Sequence, residues 1–207
     1  MIASIRGATA SMRTVSWAAA IVILIFAPAQ ALPSAPKGTY ALDPQHTQIL
    51  FEIKHMGIST FYGRFSNVSG NINFDPSATE KSTLNVQIDM RAIDTHVPEL
   101  DKTLSKSVFQ ADTYPVASFI ATKITRTGEN TGLVVGNLTI ANVSKPVSLN
   151  VTFNGGRGSG EPMQPYRIGF DATATLRRSE FRLTQMIWSG FVSDDVQLVI
   201  EAEAVRR

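Results

Sequence analysis

Three histidines, His46, His55 and His96, are the side chains of this chain best suited to metal ligation or proton transfer near neutral pH. His46 and His55 stand nine residues apart, an odd spacing that sends them to opposite faces of an unbulged strand. A shared metal would need a bulge and a third ligand such as His96 from another segment, so no metal site is expected. The absence of cysteine removes a thiol nucleophile, a zinc knuckle, a disulfide scaffold and a lipid-modified N-terminal Cys. Serine catalysis needs a nucleophile at a sharp elbow beside a base, and no Gly-x-Ser-x-Gly occurs; Ser189-Gly190 after Trp188 is a poor imitation. Asp194-Asp195 reads as a hairpin turn rather than an acid/base couple. The run from Gly155 to Gly160 carries no Lys-Ser/Thr, and Pro162 and Pro165 stand where a phosphate-cradling helix would begin, so it reads as a hairpin loop. No catalytic residue, and no enzyme, is expected.

Charge narrows the partners further. The formal net charge of +2 comes from Arg6 and Arg13, because the first 31 residues hold no Asp or Glu; 17 basic and 17 acidic side chains remain. A nucleic-acid binder needs a basic surplus, so no nucleic-acid partner is expected. The same N-terminal stretch joins a basic start, the uncharged apolar run 15–27, Pro28 and the small-residue site Ala29-Gln30-Ala31. That is the pattern of a secretory signal peptide over 1–31, leaving a domain over 32–207 exported to the periplasm. Thirteen apolar residues reach roughly 20 Å as a helix, short of the roughly 30 Å hydrocarbon core, so the cleaved chain is not expected to span a membrane.

Behind that segment, period-two alternation dominates. Ile49, Phe51 and Ile53 alternate with Gln48, Glu52 and Lys54; Leu84, Val86, Ile88 and Met90 with Thr83, Asn85, Gln87 and Asp89. Similar runs cover 133–140, 147–153, 166–176 and 196–204, and adding 63–74 and 116–125 gives eight strands. One helix is expected after Pro98, where Leu100, Leu104 and Val108 make an apolar stripe; a helical turn at 57–62 is weakly signalled. Strands wet on one face pair antiparallel, and closing eight of them removes unpaired edges. The fold class is therefore all-β: a closed eight-stranded antiparallel barrel with one short helix, ahead of a two-sheet sandwich. The inward faces mix large Phe51, Phe65, Phe119 and Phe170 with small Ala172, Ala174 and Ala202. Such a mix either packs solid or leaves a tapering cavity. His55 shares the inward parity of Ile49, Phe51 and Ile53, as a hydrogen-bonded core histidine or as a polar contact at the end of a pocket. Bulky residues outside the strands (Met56, Phe61, Tyr62, Phe109, Tyr114, Met186, Ile187, Trp188, Phe191) either plug the barrel or wall a ligand.

Several segments, in order, resemble the YceI-like family: YALDPQHTQILFEIKHMG (40–57), GRF at 63–65, GNINFDP at 70–76, IDT at 93–95, FQADTYPVASF at 109–119, LTIANVSKPVSL at 138–149 and LRRSEF at 176–181. The resemblance implies a lipocalin-like barrel with an apolar cavity for a polyisoprenoid or similar amphiphilic lipid carrying a prenyl or long acyl chain. It places His46, His55, Asp94, Asp101, Tyr114 and Arg178 at recurrent polar positions. The family commonly has Ser where Thr47 stands and Gly where Asn142 and Arg182 stand. The ligand-lining set this implies is Phe51, Ile53, His55, Met56, Phe65, Met90, Leu104 and Phe109, with Tyr114, Phe119, Leu138, Phe170, Arg178, Met186, Trp188 and Phe191. His55 and Arg178 would read the polar end of the lipid. No resident cofactor is expected beyond a bound polyisoprenoid or isoprenoid quinone. Leu50 and Val134 interrupt the polar outer alternation, which suits a homodimer. The competing readings are a ligand-free structural module and a periplasmic enzyme acting on a small hydrophobic substrate. An outer-membrane barrel is disfavoured by short strands and a C-terminus, Val205-Arg206-Arg207, without an aromatic.

Overall fold

The last strand, Val192–Arg206, organises the chain. In this computed structural model, which describes residues 35–159, 161, 163–183 and 190–207, eleven strands form one sheet that closes on itself. In chain order they are β1 (Gly38–Leu42), β2 (Gln48–His55), β3 (Ser59–Phe65), β4 (Val68–Phe74), β5 (Thr83–Asp89), β6 (Ile93–Asp94), β7 (Val116–Arg126), β8 (Thr131–Ile140), β9 (Val143–Arg157), β10 (Arg167–Arg177) and β11 (Val192–Arg206). The C-terminal part of β11 pairs with β1 and its middle pairs with β2, so β1 and β2 follow one another along the same neighbour. Likewise β4 pairs with β1 and β3 with β2. Two interrupted staves plus β5, β7, β8, β9, β10 and β11 make a closed antiparallel barrel of eight staves.

The interruption between β1 and β2 has a local cause. Asp43 accepts the Gln45 N–H on its carboxylate and the His46 N–H on its carbonyl, turning the chain out of the sheet. Thr47, almost fully buried, donates its hydroxyl to the Glu203 carbonyl and returns the chain to β11. A serine hydroxyl would serve equally.

Helix α1 (Pro98–Thr103) begins with Pro98 and continues through a wider π-type turn over Leu104–Val108. The Asp101 carboxylate accepts the Thr95 N–H (2.8 Å) and hydroxyl (2.6 Å), which fixes the entry to the helix. The expected helical turn at 57–62 is instead a hairpin. Met56 and Gly57 both take left-handed φ (53° and 71°), and β3 starts at Ser59, so Phe61 and Tyr62 are strand residues. The Asp194-Asp195 pair also lies in a strand rather than a turn, and β9 runs through Gly155 and Gly156 to Arg157, shortening the expected glycine loop. Among the described residues no helix is long and apolar enough to cross a membrane. The proposed signal segment lies outside the described residues.

Candidate functional site

Strand register sorts the inward side chains into layers. At one end Ile168 faces Ala204, which faces Leu42; all are buried, Ala204 completely, and Tyr40 beside them is also fully buried. The Tyr40 hydroxyl donates to the Pro36 carbonyl at 2.6 Å, and burial raises its phenol above the usual range. This end of the interior is buried. Four residues along β11 the layer is Ala172, Ile200, Ile49 and Phe65; the next is Ala174, Leu198, Phe51 and Gly63. The last full layer is Leu176, Val196, Ile53 and Phe61, and all four are half-buried although they point away from the outer face. The fully buried Tyr40 and Ala204 thus mark one end of the interior, and these partly exposed side chains mark the other, beside the β2–β3 turn.

Aromatic rings occupy two places in this interior. Phe74, Phe153 and Phe170 stack at centroid distances of 5.3–5.9 Å, with Tyr40 at 6.5 Å from Phe74. Nearer the open end Phe51 meets Phe65 (5.9 Å), and Phe65 meets Phe109 (5.8 Å) from the turn after α1. Two of the large rings lie down on glycine: a Cβ on Gly63 would collide with the Phe51 ring, and one on Gly136 with the Phe119 ring. Rings laid against a glycine wall occupy less of the axis than rings standing out from it.

The expected lining set divides accordingly. Phe51, Ile53, Phe65, Phe119, Leu138 and Phe170 are inward strand residues, Met90 is buried, and Leu104 and Phe109 pack on the core from the helical segment. His55 sits at the mouth opposite Val192, half-buried, with no hydrogen-bond partner for its ring among the described residues. Met56 and Phe191 lie on the rim, each more than half exposed. Tyr114 is half-buried in the turn leading to β7, its N–H bonded to the Gln110 carbonyl. Met186 and Trp188 lie outside the described residues. Sequence parity reads Leu176, Val196, Leu198 and Ile200 as inward without marking them as lining; Phe61, expected outside the strands as a barrel plug or ligand wall, is instead an inward residue of β3.

Arg178 is largely engaged with the backbone. Its Nε donates to the Ser193 carbonyl (2.8 Å), Nη1 to Leu183 (2.9 Å) and Nη2 to Val192 (3.3 Å). Three of five guanidinium donors are thus committed to backbone, and the side chain positions both ends of segment 183–192. Two other recurrent polar residues, Asp94 and Asp101, are similarly engaged. Asp94 is held below the usual carboxylate range by the His96 N–H and by Arg64, and Asp101 anchors Thr95.

Asp43, His46 and Glu203 converge on the outer face, but Arg167 Nη1 stands between the carboxylates, 2.6 Å from Asp43 and 3.3 Å from Glu203. An arginine supplies the positive charge there. Beside this cluster a groove of about 590 Å³ is lined by polar groups such as Gln48, Arg64, Asn154, Asp171 and Glu201. Its carboxylates make it unsuited to a hydrocarbon chain.

A YceI-like domain matches residues 40–204. The chain belongs to the YceI-like family. Relatives include a UPF0312 protein of Yersinia enterocolitica, 35% identical over 176 residues (84% of this chain, 89% of the relative). A UPF0312 protein of Ectopseudomonas mendocina is 32% identical over 91% of this chain and 98% of its own length. Among solved structures, a YCEI protein from Campylobacter jejuni is 32% identical with TM-score 0.65, covering 74% of this chain and 90% of that one. A polyisoprenoid binding domain from Saccharophagus degradans, 19% identical with TM-score 0.61 over 81% and 98%, shares the fold. This YceI-like barrel thus has an interior of aromatic and aliphatic side chains, buried most deeply at the Tyr40 end.

Proposed function

We propose that the protein holds a polyisoprenoid or similar amphiphilic lipid, with its prenyl or long acyl tail inside the barrel, in the periplasm, as a carrier, store or sensor. The observation that carries this reading is the half-buried inward layer Leu176, Val196, Ile53 and Phe61 at the barrel end away from the buried Tyr40 and Ala204. Each methylene moved from water into such an interior contributes roughly 0.8 kcal/mol, so a tail of several isoprene units is held without a strong polar anchor. Among the described residues, the polar groups at that end that suit a headgroup are His55, whose ring has no hydrogen-bond partner among them, and the donors of Arg178 not bonded to backbone. Family membership supports the same class of ligand, and the polyisoprenoid named for the Saccharophagus fold neighbour is the first one to try.

Native mass spectrometry of the protein purified from its own periplasm tests the proposal. The expected spectrum carries an added lipid mass. A bare mass, together with no uptake of prenyl alcohols offered in detergent, would overturn it.

A further inference from the structure

The barrel mouth carries a convex apolar rim that the lining of the cavity does not need. Ile58 is 83% exposed at the tip of the β2–β3 turn, and Met56 (56%) and Phe191 (53%) flank it. The Met56 N–H donates to the Phe191 carbonyl at 2.6 Å, so the hairpin tip and the start of β11 form one edge. Around Gly57 and Gly190 there is open space, which leaves the tips projecting. Met56 is doubly costly where it stands: a long apolar side chain in water, on a backbone with φ of 53°, where Asn or Gly would be cheaper.

The tip segments themselves carry one charge, that of Lys54, with Asp194 and the exposed Asp195 following on β11 beside Arg177. Residues 54–62 and 190–193 hold Lys54 and no carboxylate. Lys54 is exposed, its ammonium on the Thr60 hydroxyl at 2.6 Å, and Arg182 is exposed beyond the Arg178 turn. The next acid on β11, Asp194, is taken by the Ser179 N–H and hydroxyl and by Arg177. Projecting aliphatic and aromatic tips with a basic flank are the chemistry of an anionic bilayer interface, where apolar side chains enter the headgroup boundary and lysines meet the lipid charge.

We infer that the rim formed by Met56, Ile58 and Phe191, flanked by Lys54, docks the open end of the barrel onto an anionic lipid bilayer. The purpose of the docking, passing a lipid between bilayer and barrel, rests on the lipid-holding reading; the docking itself does not.

Flotation with vesicles of phosphatidylcholine alone, or mixed equally with phosphatidylglycerol, tests it. The expected result is that the protein floats with the mixed vesicles. Ile58→Ser lowers partitioning about tenfold on both. Lys54→Glu lowers it about tenfold on the anionic vesicles alone. Both variants keep the parent melting temperature and the parent uptake of a fluorescent prenyl alcohol delivered in detergent. Docking is overturned if the parent stays unbound to both vesicle types or if Ile58→Ser floats like the parent. It is equally overturned if Ile58→Ser instead converts a dimer to a monomer, which makes the rim a self-interface. Vesicle binding without prenyl uptake upholds the docking and sinks the lipid-holding reading, so the two failures are distinct.

Discussion

The ring of Phe51 packs against Gly63 of the neighbouring strand, so close that no Cβ fits between them. The pair sits one layer below the mouth, where the interior narrows or stays open according to where that ring goes. Gly63→Val would push the ring toward the axis. We expect a loss of about 1–3 kcal/mol in stability from the displaced ring. Prenyl affinity should fall at least tenfold in a fluorescence titration. The double change Gly63→Val with Phe51→Ala removes the obstruction and should return most of the affinity. Persistent loss in the double variant would show that this layer does not hold the ligand.

Arg178 reaches three backbone carbonyls on two segments, a span that an ammonium cannot cover. Arg178→Lys should therefore destabilise nearly as much as Arg178→Ala, by about 2 kcal/mol or more in urea unfolding. If Arg178 instead served a lipid headgroup alone, both variants would unfold like the parent and differ only in ligand preference.

The barrel was legible in the sequence because the alternation of β5, β9, β10 and β11 records which faces are buried. The hairpin at Met56 was not, since the usual Asn-Gly or Asp-Gly signal is replaced by Met-Gly, and the flanking HMGISTFYG has no polar alternation. Asp194 read as a turn residue because its partners, Arg177 at the end of β10 and Ser179 in the helical turn that follows it, leave no local trace. The role of Arg178 was hidden for the same reason: a backbone carbonyl has no letter in the sequence. Parity did place His55 inward, at the mouth where the structure has it.

Arg182 and Asn142 stand where the family commonly has glycine, and both take left-handed φ, 58° and 65°. Asn tolerates that region and Arg does so at a cost. Arg182→Gly should thus stabilise the fold by about 0.5–1 kcal/mol, raising the thermal midpoint by a few degrees, whereas Asn142→Gly should change it little. An Arg182→Gly protein that melts below the parent would mean that the arginine side chain makes a contact worth more than the backbone strain.

Asp43 gives the acid limb of stability a definite shape. Hydrogen bonds from Arg167 and then His46 lower its carboxyl from 3.8 to about 2. A group whose pKa falls on folding contributes stability that is whole above its unfolded value and is lost as pH drops through the folded one. The contribution should therefore be constant from neutrality to about pH 5 and vanish between about pH 4 and pH 2. Asp43→Asn keeps the turn but loses the charge, so it should cost about 1–2 kcal/mol at pH 7. Its melting curve should converge with the parent's near pH 2 while diverging above pH 4. Arg167→Met should reproduce the same convergence, because removing the guanidinium returns the Asp43 carboxyl toward its ordinary range. A constant gap between Asp43→Asn and the parent across the whole acid range would show that the carboxylate's charge is not what holds β1, β10 and β11 together at this corner.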